Sequence, residues 1–141
     1  MFYQPILLPL LAQVVLTFAV WIFMFVTRMS EIGRKRIRAQ ELSIRSHSQR
    51  LLTESAGPAE NFKNLFELPV LFYTAILLSL VLLVQDTLLV QLAWTFVALR
   101  AVHSMIHCTY NRVMHRFVVY LASSLVLILM WFRLAMYVLT Q

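Results

Sequence analysis

The sequence predicts an all-α integral membrane protein built as a bundle of four spanning helices. The chain of 141 residues is 61% hydrophobic, only 13% charged, and contains two glycines, and its mean hydropathy is +0.78. Its apolar residues fall into four separate windows, Pro5–Thr27, Leu65–Val84, Leu88–Ile106 and Phe117–Leu139. Each is close to the roughly 20 residues that a helix needs to cross about 30 Å of hydrocarbon. The windows are continuous runs, not alternating ones. In lipid a backbone must satisfy its own hydrogen bonds, and runs of this kind do so as helices, not barrel strands. No polar stretch exceeds the first loop, so residues 1–141 read as one membrane domain.

The first window lacks a basic leader and a small-residue cleavage site, so it reads as a retained span and not a signal peptide. The loop that follows, "RMSEIGRKRIRAQELSIRSHSQRLLTESAG", reads as a helical extension of the first span, a break, and a surface segment on the headgroups. Gly57-Pro58 punctuates the chain, and proline suits a first helical turn. The second helix is therefore expected near Ala59, with Glu60 to Glu67 riding its polar first turns and Pro69 bending it slightly. "VQDTL" turns the chain into the third span, and a basic turn leads to the fourth. Tyr3 and Tyr137, near span ends, read as interfacial anchors, and Arg133 as a snorkelling side chain.

The net charge of +6 is localised. Eight Lys and Arg residues lie from Arg28 to Lys63, and Arg100, Arg112 and Arg116 cluster around the turn before the fourth span. "VQDTL" and both tails have none. The positive-inside rule then predicts a multi-pass protein with both termini outside the cytoplasm. A pI near 10.1 does not imply nucleic acid, because no recognition module accompanies it; anionic membrane lipids account for the arginines. Cys108 is the single cysteine, which excludes an intrachain disulfide.

Ionisable groups at membrane depth usually face a bundle interior or a wet cavity. Asn64 and Glu67 are i, i+3 on one helical face, and Arg100, His103 and His107 form another stripe by spacings of three and four. Arg112, His115 and Arg116 continue it. Two polar faces at one depth suggest a cavity at the cytoplasmic end. The same residues could equally be a structural pairing, with Glu67 holding Arg100 or a histidine. A lone i, i+4 histidine pair is weak support for a metal, and none is assigned. Ser123 and Ser124 read as small packing residues without a positioned base.

The two stripes resemble the MAPEG family (membrane-associated proteins in eicosanoid and glutathione metabolism). The family pattern of Asn-x-x-Glu followed by proline reads "KNLFELP" here, and Arg-x-x-His leading to an arginine at the fourth helix reads "RAVHSMIHCTYNRVMHRF". Against the prostaglandin E synthase branch the second stretch aligns without a gap, and Tyr120 falls on a tyrosine. The resemblance implies a four-helix homotrimer that binds glutathione between subunits and acts as a transferase or peroxidase on a hydrophobic small molecule. It implies that Asn64 and Glu67 hold the tripeptide, and that Lys63, Arg100, His103, His107, Arg112 and Tyr120 line the pocket. Arg116 is the catalytic residue it implies, stabilising the thiolate. Glu60 stands where many members have arginine, His107 where several have tyrosine, and Pro69 follows the glutamate closely. These departures imply a divergent bacterial branch, hence a bacterial inner membrane. The family also contains a lipid-binding scaffold, so a non-catalytic scaffold or an accessory subunit of a larger membrane complex stands as the alternative. A transporter is disfavoured because no inverted repeat is present.

Overall fold

The computed structural model describes residues 5–140, and Tyr3 lies outside them. Helix α1 spans Leu7–Lys35, α2 Arg45–Leu51, α3 Ala56–Asn64, α4 Leu68–Val81, α5 Thr87–Cys108 and α6 Val113–Leu139, with a 3-10 turn at Ala39–Leu42. Four membrane-capable helical spans result, α3 and α4 together forming the second. No strand occurs among the described residues. α5 packs most extensively on α6, while α1 contacts α3, α4 and α5, and α4 closes against α6. Lipid tails are as apolar as leucine, so this association rests on close packing. At its centre the Phe72 and Phe96 rings stack 4.7 Å apart, surrounded by Ile76, Leu89, Ala93, Leu127 and Met130.

Pro69 does more than bend the second span. The helix stops at Asn64 and restarts at Leu68, with Glu67 outside the helical region at φ −95°, ψ −98°. Proline has no N–H for the Leu65 carbonyl, and its ring crowds the preceding turn. Pro69 then sits in the first turn of α4, where neither defect matters.

The long loop is tied down by a residue that no motif announced. The Glu31 carboxylate, 1% exposed, accepts hydrogen bonds from Glu54 N, Ser55 N and Ser55 Oγ at 2.8–3.0 Å and from Lys35 Nζ at 2.6 Å. Lys35 Nζ also donates to the Leu51 carbonyl at 2.8 Å. Together they fold the segment after α1 back on its end and set where α3 begins. Arg36 reverses the chain in the left-handed region, φ 51°.

At the opposite end Asp86 caps α5 through Leu88 N at 2.9 Å and receives Arg133 Nε at 2.7 Å. Arg133 therefore does not simply snorkel; its planar fork finds a carboxylate one helix away. Tyr137 packs against the core beside it.

Two predictions follow from these ties. Glu31→Gln leaves buried donors short of an acceptor, so it should cost about 1–3 kcal/mol, seen as a lower unfolding midpoint in detergent and faster tryptic cleavage between Arg36 and Arg50. Burial alone would raise the Asp86 carboxyl, but hydrogen bonds from Arg133 and the Leu88 N–H outweigh it and hold the group below its ordinary value. Its stabilisation is thus complete above the ordinary carboxylate pKa and is lost as pH falls through the depressed one. Arg133→Gln should flatten that acid limb, by less than about 1 kcal/mol since the pair is partly exposed.

Candidate functional site

The interruption of the second span creates the site's floor. At the end of α3 the Asn64 carbonyl accepts the Glu67 N–H at a long 3.4 Å, and Arg100, wholly buried on α5, donates to it from Nη2 at 2.8 Å. The Arg100 guanidinium carbon also lies 6.0 Å from the Tyr120 ring centre, within cation–π range. Above it, α3, α5 and α6 line an open cleft of about 380 Å³, a volume within the roughly 300–1,000 Å³ range of small-molecule sites.

Its polar walls are Glu60 and Asn64 from α3, His103 and His107 from α5, and Arg116 and Tyr120 from α6; Val113 and Phe117 form an apolar edge. Arg116 Nη1 donates to His107 Nε2 at 2.7 Å. His103 Nδ1 lies 3.3 Å from the Arg116 carbonyl. A carbonyl only accepts, so Nδ1 carries the proton and Nε2 presents its lone pair. That Nε2 and Arg116 Nε are both buried without a partner among the described residues. The cleft wall therefore holds a spare acceptor and a spare cationic donor, and Arg100 beneath it keeps Nε and Nη1 unpartnered as well.

Asn64, His103, His107, Arg116 and Tyr120 all line this cleft. Arg100 acts from beneath the cleft. Lys63 points elsewhere, its Nζ 2.5 Å from the Glu60 carboxylate, and lines a neighbouring cleft with Arg28 and Arg45. Glu67 is exposed in the helix break and does not line the cleft, and no ion pair joins it to Arg100 among the described residues. The break turns it off the face it would share with Asn64 in an unbroken helix. Arg112 is exposed at the start of α6, and His115 turns to the Tyr110 hydroxyl at 3.1 Å. Ser123 and Ser124 both donate to the Tyr120 carbonyl at 2.8 Å.

The sequence pattern and the fold can now be set beside known proteins. The model of the MAPEG family matches residues 6–136. The chain belongs to the MAPEG family. No curated protein and no solved structure matches it. In this MAPEG protein the cleft also depends on Asn61, one turn before Asn64 on the same face, and on Gly57, which sequence spacing did not single out. Asn61, fully buried, accepts from Ser104 Oγ at 3.4 Å and donates to Cys108 Sγ at 3.5 Å, seating α3 on α5. Gly57 comes so close to α5 that a Cβ there would lie 3.1 Å from the His107 carbonyl oxygen. Its neighbour Pro58 was the visible signal; the close approach became visible only with α5 in place.

Alanine normally gains on glycine in a helix by about 1 kcal/mol. Gly33 has open space around its Cβ position, so Gly33→Ala should raise the unfolding midpoint. Gly57→Ala should lower it instead, because α3 must move off the His107 carbonyl. Paired thermal unfolding of the two variants in the same detergent checks the opposite signs.

Proposed function

We propose that this MAPEG protein is a homotrimeric, glutathione-dependent transferase or peroxidase acting on a lipophilic substrate. The observation that carries this reading is Arg116, a guanidinium on the cleft wall with a buried, unpartnered Nε beside the free lone pair of His103. Buried polar groups left in that state call for a partner. An acidic thiol suits both, since it gives its proton to an acceptor and leaves an anion for a cation. Glutathione, when bound, would supply a sulfur nucleophile.

The chain's own residues then divide the work. Arg116 favours the thiolate by charge, because an adjacent cation lowers a thiol's pKa. His103 Nε2 accepts the proton while its Nδ1–H, held on the Arg116 carbonyl, keeps the ring in place. Asn64 and Tyr120 orient the peptide. Val113 and Phe117, both exposed, give a lipophilic electrophile an apolar approach from the bilayer. The cleft is open on one side, and a second copy would close it, consistent with a cyclic trimer. The arginine distribution supports placing this end on the cytoplasmic side, with both termini outside.

A second reading, a lipid-binding scaffold or accessory subunit of a larger membrane complex, draws on the positions of Glu67, Lys63 and Arg112. All three stand away from the cleft. Ultraviolet thiolate absorbance, titrated against pH with glutathione present, separates the readings. Arg116→Ala should raise the apparent thiol pKa and cut turnover by about 10²-fold or more, with affinity comparatively intact. The detergent-solubilised protein should have the mass of three chains. A wild type with no thiolate signal and no thermal stabilisation by glutathione would leave the scaffold reading in place.

A further inference from the structure

We infer that the basic end of the bundle holds a second site, a cleft beside α1 that takes the headgroup phosphate of an anionic phospholipid and lays one acyl chain along the α1 face that leads toward the bilayer centre. The inference does not depend on the thiol reading.

The tie at Glu31 and Lys35 builds this cleft. Lys35 Nζ holds the Leu51 carbonyl at 2.8 Å, which keeps the end of α2 beside the end of α1. Arg28 from α1, Arg45 and Ser48 from α2, and Glu60 and Lys63 from α3 then face one space of about 410 Å³, with the buried Leu52 in its wall. Glu60 and Lys63 neutralise each other at 2.5 Å. Arg28, which is partly buried, and Arg45 join no ion pair among the described residues. The cleft thus keeps two uncompensated positive charges, and Ser48 and Gln49 add neutral donors beside them. A basic pocket between spanning helices at headgroup level suits an anionic lipid.

The surface that continues from the cleft selects a lipid over a free phosphate. Val14, Phe18 and Trp21 lie on the same face of α1 as Arg28, at spacings of four, three and seven residues. With Phe62 and Phe66 they line an apolar groove of about 450 Å³ between the first two spans. Phe18, Trp21 and Phe66 are exposed there. From Arg28 to Val14 the helix descends about 21 Å, the depth of one hydrocarbon leaflet, roughly 15 Å, plus part of the headgroup layer. The groove gives an acyl chain a place to lie, and the arginines decide which headgroup sits above it. A choline headgroup brings its own cation to the phosphate; a glycerol headgroup does not. Each arginine near the surface favours an anionic lipid by a factor of about five. Two acting on one headgroup, with screening, should give a preference on the order of tenfold.

The test uses the full-length protein carrying Trp94→Phe and Trp131→Phe, so that Trp21 is the remaining tryptophan. It is placed in mixed micelles containing phosphatidylglycerol or phosphatidylcholine with brominated acyl chains, which quench an indole they touch. Half-quenching of Trp21 should need about tenfold less phosphatidylglycerol than phosphatidylcholine. Arg28→Gln and Arg45→Gln should each weaken the preference and together abolish it. Arg34→Gln, whose partner Glu54 is outside the cleft, should leave it unchanged. Native mass spectrometry of the chain with all three tryptophans gives a second readout and should show the same preference among retained lipids. Equal quenching and equal retention of the two lipids would overturn the inference, as would a preference that survives in the double arginine variant. So would a Trp21 that neither lipid quenches, the result expected if a second copy covers the groove. Displacement of the brominated lipid by glycerol 3-phosphate at matching concentration would also overturn it, since the cleft would then serve a free phosphate ester without the chain.

Discussion

A single hydrogen bond, from buried Arg100 to the Asn64 carbonyl, underlies the arrangement at the site. Pro69 makes the second span unable to run as one helix, and because lipid offers the freed carbonyls nothing, they must be satisfied within the protein. A guanidinium is suited to that task because it offers five donors and stays charged in poor solvents. The break and the cation meet at one carbonyl. Backbone N–H groups of Leu65, Phe66 and Glu67 turn back onto the last carbonyls of α3, and Arg100 adds a shorter, charged bond to the one at Asn64. Their union fixes the height of α3 against α5, and every cleft residue from α3 takes its position from it.

The four spans were legible because membrane insertion imposes length and apolarity on each helix separately, before any tertiary contact forms. The stripe of Arg100, His103 and His107 was legible for a related reason, since helical periodicity alone puts them on one face. Glu67 lies outside that rule. Its i, i+3 relation to Asn64 holds only in a continuous helix, and whether a proline bends or breaks a helix depends on whether a neighbouring group can satisfy the freed carbonyls. Glu31 was invisible for a different reason. A lone carboxylate among arginines looks solvated, and its partners are mostly backbone and side-chain groups at residues 54 and 55, more than twenty positions along the chain. Arg133 and Asp86 were each visible, but nothing local relates two charges 47 positions apart.

The two ends of the bundle are held differently. At the far end one ion pair and one cap join the α4–α5 turn to α6. At the site end, Glu31, Lys35, Asn61, Ser104, Arg100 and Arg116 form polar ties among α1, α3, α5 and α6. Many of these act through side chains whose partners are backbone carbonyls or amides. Such contacts specify backbone position tightly while leaving the facing side chains free for a ligand, which suits a site assembled where three helices meet.

The lengths of α1 and α5 differ in a way that bears on the surrounding bilayer. At about 1.5 Å per residue, the 29 residues of α1 extend about 44 Å and the 22 residues of α5 about 33 Å. Hydrocarbon is roughly 30 Å thick and the whole bilayer roughly 40–45 Å, so α5 ends near the hydrocarbon edge while α1 continues through the headgroup layer. Glu31 grips the loop in that layer, and the cleft opens at its inner boundary. A thicker membrane would submerge His103 and His107 before it reached the end of α1. The membrane's thickness thereby becomes a variable that sets how much water the cleft admits, through hydrophobic mismatch on one helix and not on its neighbour.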